Sequence, residues 1–251
     1  MKIARFEFDS KVSWGVLSDN HLHAIDGDLY GSKTPGKKIC SVEEAAFLPP
    51  ILPTNKVPAI AANYGEKDER DGPGIFMKQP GTYQAHDGPI IYPRSCKSII
   101  YEPELGIVIS KPGRHIDEKD ALDYVLGYTC VNDVSAVDLI KSDLGKGLSM
   151  RWKHFDTFCP MGPYIETEVK EPGNLDIECL VNGELSGSGN TSDMIFPIPM
   201  LISWVSEVMT LYPGDIIPSG CPETNEINIG DEVEVRIEEV GSLVNRVVAD
   251  Y

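Results

Sequence analysis

Residues 99–110 read IIYEPELGIVIS, an apolar, β-branched run interrupted by two glutamates. Such a run favours an extended strand. Successive side chains of a strand face opposite ways, so Glu102 and Glu104 share one face while Tyr101, Leu105 and Ile107 take the other. The two glutamate Cα atoms then stand about 6.5 Å apart. At that spacing both carboxylates reach one ion, and their repulsion favours a cation between them. The same pattern also suits an exposed edge strand whose glutamates face water, with Pro103 guarding the edge.

Strand-like runs dominate on both sides of this segment, at residues 59–62, 124–131, 175–181, 215–217 and 232–237. Val233, Val235 and Ile237 alternate with charged neighbours at period two. Asn182-Gly183 supplies the two positive φ angles of a type I′ turn, which predicts a hairpin returning from Leu185. Helical signals are few. Asp117 caps a short helix through Tyr124, and Leu201, Trp204, Val205, Val208 and Met209 fall at helical spacing. Strands with scattered helices, joined by Gly and Pro turns, exclude a doubly wound sheet and predict an α+β, mainly β fold.

Upstream, residues 3–8 and 11–17 read as short strands, followed by a polar loop at 30–38. The proline-rich stretch FLPPILPTNKVP at 47–58 suits neither a continuous helix nor an inner strand, because proline lacks the amide donor. A boundary there divides a small N-terminal β domain, residues 1–50, from a larger domain, 57–251.

The chain has 251 residues, enough for a substantial core, with 41% apolar and 24% charged side chains. Its 22 basic against 39 acidic residues give a net charge of −17, which repels nucleic acid and anionic membrane alike. The closest pair of its six cysteines, Cys159 and Cys179, is twenty positions apart, so CxxC zinc and redox motifs are excluded. Reduced thiols in a cytoplasmic protein are the expectation. No run is long and apolar enough to cross a bilayer as a helix.

Asp133 stands two positions after the apolar run 124–131, where an acid serves a cleft or caps the helix after Val134. Three carboxylates without a Cys or His cluster make an all-oxygen site, which suits Mg²⁺ or Mn²⁺. Lys153, within RWKHFDTFCP, is the best cationic partner, either for a developing oxyanion or, if desolvated, as a base; a plain surface lysine is the alternative. His154 should face away from Lys153 on an extended segment. His21, His23, His86 and His115 read as solvated loop residues.

YEPELGIVIS, followed by DALDYVLGYTCVNDVSA, KHFDTFCPMGP, VNGEL, GNTSDMIF and MTLYPGDII, resembles the fumarylacetoacetate hydrolase superfamily in block order and spacing. The resemblance runs from about Val57 to the C-terminus. It implies a mixed β-roll, a homodimer, and a divalent metal held by an E-x-E pair and a downstream Asp, here Glu102, Glu104 and Asp133. It also implies that the metal chelates a 2-oxo carboxylate and stabilises an enolate, supported by Lys153.

Departures from the family pattern fall at the substrate end. Hydrolytic members carry a lid histidine after an N-Y pair, whereas this chain reads Asn63-Tyr64-Gly65-Glu66-Lys67. Lys67 takes the histidine position, and Glu66 or Glu69 is the replacement base, with Gly65, Gly72 and Gly74 allowing lid motion; a solvated charged loop is the alternative. Val137 and Ile140 stand where many members have Arg and Gln. In Ser219-Gly220-Cys221-Pro222, matching the family's T-G-T-P, Cys221 replaces the second Thr. Lys78, in FMKQP, remains as a candidate substrate contact alongside Ser219, Gly220, Cys221 and Val137.

The resulting expectation is a Mg²⁺- or Mn²⁺-dependent enzyme for a small acylpyruvate- or fumarylacetoacetate-like 2-oxo acid, hydrolytic by family weight. Isomerase or tautomerase, decarboxylase and 2-keto-3-deoxy sugar-acid dehydratase chemistries are alternatives. A non-catalytic metal-binding module is a second class of reading.

Overall fold

The computed structural model describes residues 1–66, 71–144 and 151–251. Five strands open the chain: β1 (Lys2–Phe8), β2 (Lys11–Ser18), β3 (His21–Gly27), β4 (Lys33–Ser41) and β5 (Ala46–Leu48). Next come β6 (Val57–Ala61), β7 (Gly74–Lys78), β8 (Tyr83–Gln84), β9 (Pro89–Tyr92), β10 (Ile99–Ile100), β11 (Pro103–Ile109) and β12 (Val125–Asn132). Helix α1 (Val137–Leu144) precedes β13 (Cys159–Glu166), β14 (Asp176–Val181) and β15 (Glu184–Asn190). After helix α2 (Ile198–Val208), β16 (Ile216–Pro218), β17 (Glu226–Ile227), β18 (Glu232–Ile237) and β19 (Gly241–Ala249) complete a mainly β molecule.

The largest sheet runs β16-β11-β12-β13-β1-β2-β3-β4, so the N-terminal strands continue the sheet that carries the 99–110 segment. A five-stranded sheet, β15-β14-β18-β19-β9, is mixed, with β19 and β9 parallel. Between the two sheets Leu105, Ile107 and Ile109 of β11 meet Ile177, Val233, Val235 and Leu243 in one buried cluster. Val108, on the opposite face of β11, packs with Val131, Met161, Ile165 and Ile3. Burial of both faces explains why β11 reads as a nearly continuous apolar run.

Four local expectations are corrected. The predicted strand 99–110 is two strands, because Tyr101 and Glu102 leave the ladder: Glu102 N donates to Asn132 Oδ1, and Asp133 N donates to the Glu102 carbonyl. The polar loop 30–38 is largely strand β4. As an outer strand with mostly solvated faces it needs only backbone bonds to β3, and it tolerates Pro35. The 118–124 segment is a 3₁₀ helix whose Asp117 makes no capping hydrogen bond. Lys153 and its neighbours form a 3₁₀ turn, Arg151–Lys153, rather than an extended run.

The hairpin matches its signal: Val181 pairs with Glu184 across Asn182 (φ 54°) and Gly183 (φ 80°). Helix α2 buries Leu201 and Val205 as their spacing predicts, while Val208 is exposed. Among the described residues no helix is long and apolar enough to cross a membrane.

Candidate active site

The register Pro103↔Asn132 sets the start of β11 beside the end of β12, which brings Glu102, Glu104 and Asp133 to one place. Strand β16 lies along the other edge of β11, with Gly106 opposite Pro218, so Ser219-Gly220-Cys221 emerges directly against the glutamates. There Gly220 N donates to Glu104 Oε2 at 3.0 Å. Gly220 sits at φ 90°, and a Cβ on it would stand 2.9 Å from Asn63 Cβ, so glycine is required for this approach.

Lys153 Nζ is the hub. It lies 2.6 Å from both Glu102 Oε2 and Asp133 Oδ2 and donates to the Asp133 carbonyl at 3.0 Å. The other oxygen of Asp133 meets Lys78 Nζ at 2.6 Å, and Lys78 also donates to the Phe158 carbonyl. Ser135 Oγ donates to Glu102 Oε1 at 2.6 Å.

These contacts fix the charge states. Burial works against the charge on Asp133, but Lys153 and Lys78 outweigh it and hold its pKa below the ordinary carboxylate value. Burial likewise lowers Lys153, yet Asp133, Glu102 and Glu104 push it above an ordinary lysine. Glu104 has the opposite problem. Burial, then repulsion from Asp133, lift its pKa well above normal against the pull of Lys153. Burial and the two glutamates also hold the Cys221 thiol neutral.

A cavity of about 250 Å³ opens on this cluster. Glu102, Glu104, Ser135, Lys153, Tyr64, Gly220 and Cys221 supply its polar wall, and Ile60, Phe76, Ile140 and Trp152 much of the remainder. Several expectations shift here. Lys78 lies behind Asp133, fully buried and off the wall, so it supports a carboxylate rather than meeting substrate. Val137 is also off the wall, its N–H bonded to Ser98, while Ile140, three residues along α1, reaches it. Asp133 starts no helix, and both its oxygens face ammoniums. Glu66 is solvent-exposed and off the wall. Lys67 and Glu69 lie outside the described residues.

Ser219 is buried, its hydroxyl facing that of Tyr64. His154 turns away and pairs with the Met77 carbonyl. His115 meets Glu207 at 2.9 Å, a partner too distant in sequence to be read. The reading along the chain also missed Ser135, Tyr64, Phe76 and Trp152. Only Ser135 had a usable signal, two positions after Asp133.

The donors fit a divalent cation. Glu102, Glu104 and Cys221 each offer a ligand atom, all within 4.8 Å of one another, whereas Asp133, the third carboxylate expected, stands outside this trio with one oxygen on Lys153 and the other on Lys78. Glu104 is a fully enclosed carboxylate with one N–H donor and two carboxylate neighbours, an arrangement that a cation relieves.

Residues 55–248 match the family described as fumarylacetoacetate (FAA) hydrolase, C-terminal. The chain belongs to this family. Residues 1–50 match a second family, described as Rv2993c-like, N-terminal. Mitochondrial oxaloacetate tautomerase FAHD2B of Bos taurus is 39% identical over 224 residues, covering 82% of this chain and 70% of that one. The crystal structure of 5-carboxymethyl-2-hydroxymuconate delta-isomerase from Mycobacterium smegmatis superposes over 100% of both chains, with TM-score 0.92 and 33% identity. Maleylpyruvate hydrolase from Sphingobium sp. SYK-6, solved with manganese(II) and pyruvate, also covers both chains fully, with TM-score 0.83 and 26% identity. The chain is an enzyme of the hydrolase and isomerase type found in this family.

Proposed function

We propose that the enzyme interconverts the keto and enol forms of a small 2-oxo acid with a divalent cation, Mg²⁺ or Mn²⁺, held by Glu102, Glu104 and Asp133. The observation that carries this reading is the Lys153 ammonium, fixed between Glu102 and Asp133 at the cavity wall. The cation, when bound, supplies Lewis-acid polarisation of the 2-oxo group. Lys153 adds a preorganised positive charge for the oxygen that becomes enolate-like. Ser135 fixes Glu102 through Oε1, and Lys78 fixes Asp133 through Oδ1. Tyr64, held neutral by burial and by Glu104, lines the same cavity with its hydroxyl turned inward toward Ser219.

Isomerisation is favoured over hydrolysis because no histidine lines the cavity among the described residues, and Glu66 stands off its wall. The named activities of the tautomerase and isomerase relatives support the same choice. The free cysteines suit a reducing, cytoplasmic setting, and the homodimer implied by the family belongs to the proposal.

Enol absorbance of oxaloacetate and acylpyruvates, followed in the ultraviolet with coupled detection of pyruvate, tests this. Metal-dependent enol decay without pyruvate release from acylpyruvates is the expected result. Metal-dependent pyruvate release from acylpyruvates would make the enzyme a hydrolase instead, and pyruvate release from oxaloacetate a decarboxylase.

A further inference from the structure

We infer that Asn63 is a positioning residue of the cation site, aiming the Gly220 N–H at Glu104, an inference that rests on the cation reading above. Asn63 is buried and lies off the cavity wall, which its neighbours Ala62 and Tyr64 line. Its amide is bonded entirely to backbone. Nδ2 donates to the Ser219 carbonyl at 2.8 Å and to the Phe196 carbonyl at 3.1 Å, and Oδ1 accepts from Phe196 N at 2.8 Å. Both amide hydrogens and the amide oxygen are thereby used. The Asn63 main-chain carbonyl also accepts from Ile195 N at 2.8 Å, so one residue staples three separate stretches of chain.

One of those bonds bears on the site. The Ser219 carbonyl and the Gly220 N–H belong to a single planar peptide unit, which is trans, so the two groups point in opposite directions. Asn63 holds the carbonyl end, and the N–H end meets Glu104 Oε2 at 3.0 Å. The preceding peptide is already tied to β11, where Ser219 N donates to the Leu105 carbonyl at 3.1 Å. Rotation of the Ser219–Gly220 unit is therefore the freedom that Asn63 removes. Aspartate at 63 keeps the shape but sets an acceptor against two buried carbonyls, which turns the unit and takes the N–H from Glu104. Asn245 supplies an internal comparison. It is buried too, and its Nδ2 donates to the Ala85 and Gly88 carbonyls, both at 2.8 Å, but it lies off the cavity wall.

The test compares Asn63→Asp with Asn245→Asp in the full chain. Each variant replaces a buried pair of donors by acceptors, so both should lower Tm. Asn63→Asp alone should weaken Mn²⁺ binding about 10–100-fold by calorimetry, and Asn245→Asp should bind as wild type does. In the metal-free chain, Asn63→Asp should also move the Gly220 amide proton upfield and speed its exchange with solvent, read by NMR. Wild-type Mn²⁺ affinity with an unchanged Gly220 amide in Asn63→Asp overturns the inference, and so does equal weakening in both variants. If Asn63→Asp does not fold, Asn63→Ala, which introduces no charge, carries the same expectations. Failure of both to fold makes Asn63 a residue of the fold alone and overturns the positioning role. A wild-type chain that binds no Mn²⁺ overturns the cation reading itself, and this inference with it.

Discussion

Ser135 and Lys78 touch no substrate on this account, yet each holds one oxygen of a proposed metal ligand. Partners of that kind orient their ligands, and losing one typically weakens metal affinity about 10–100-fold. Ser135→Ala should therefore lower Mn²⁺ affinity by that factor in a calorimetric titration, and Ser135→Thr should recover most of it. Lys78→Met should act on stability instead. It leaves a fully buried Asp133 with one ammonium rather than two, which costs about 3–5 kcal/mol in denaturant unfolding. Glu102, Glu104 and Lys153 were legible through the order and spacing of the family-like blocks, since the E-x-E spacing alone equally suits a solvated edge strand and Lys153 alone a surface lysine. The role of Lys78 was not legible: its partner lies far along the chain, and complete burial of a lysine leaves no local signature.

Helix α1 and the 3₁₀ turn that carries Lys153 are joined by an ion pair. Arg151 Nε spans both oxygens of Asp143, at 2.9 and 3.1 Å, and Ala136 N bonds the Trp152 carbonyl. Since Ile140 and Lys153 reach the same cavity from these two elements, Arg151→Ala should lower kcat more than it raises KM. Added guanidinium should restore part of the loss, because Arg151 is largely exposed and the small cation can take its place; absence of rescue would count against a positioning role. On the other side of the site, Gly220→Ala should displace the N–H that meets Glu104, read as weakened metal binding. Strand β11 was legible in type because apolar density marks a strand buried on both faces. Its break at Tyr101 and Glu102 was not, since it follows from hydrogen bonds to Asn132 and Asp133 rather than from residues 101–102 themselves. Strand β4 failed for the converse reason. An outer strand needs a backbone partner more than an apolar face.

Across the whole molecule, Ile3 shares a core with Val108 and Met161, and β1 pairs with β13, so the N-terminal strands and the catalytic sheet meet along a packed edge. We propose that residues 1–50 are a distinct unit whose deletion leaves the β13 edge at Tyr164–Glu166 unpaired, read as lower solubility and lower Tm. The buried cysteines set an alkaline limit. Burial pushes Cys130 and Cys159 up to about 12 from an ordinary 9.0. The unfolded chain loses those protons first, so stability present below about pH 9 should fall as pH rises toward 12. Thermal melts in reductant at pH 8 and pH 10.5 check this sign, with the lower Tm expected at pH 10.5. The central claim remains the cation site, and titration of Mn²⁺ into wild type and Glu104→Gln by calorimetry tests it most directly. One Mn²⁺ bound per wild-type chain and none by the variant, with matching circular dichroism, is the predicted result. Equal affinity in the two proteins would contradict it.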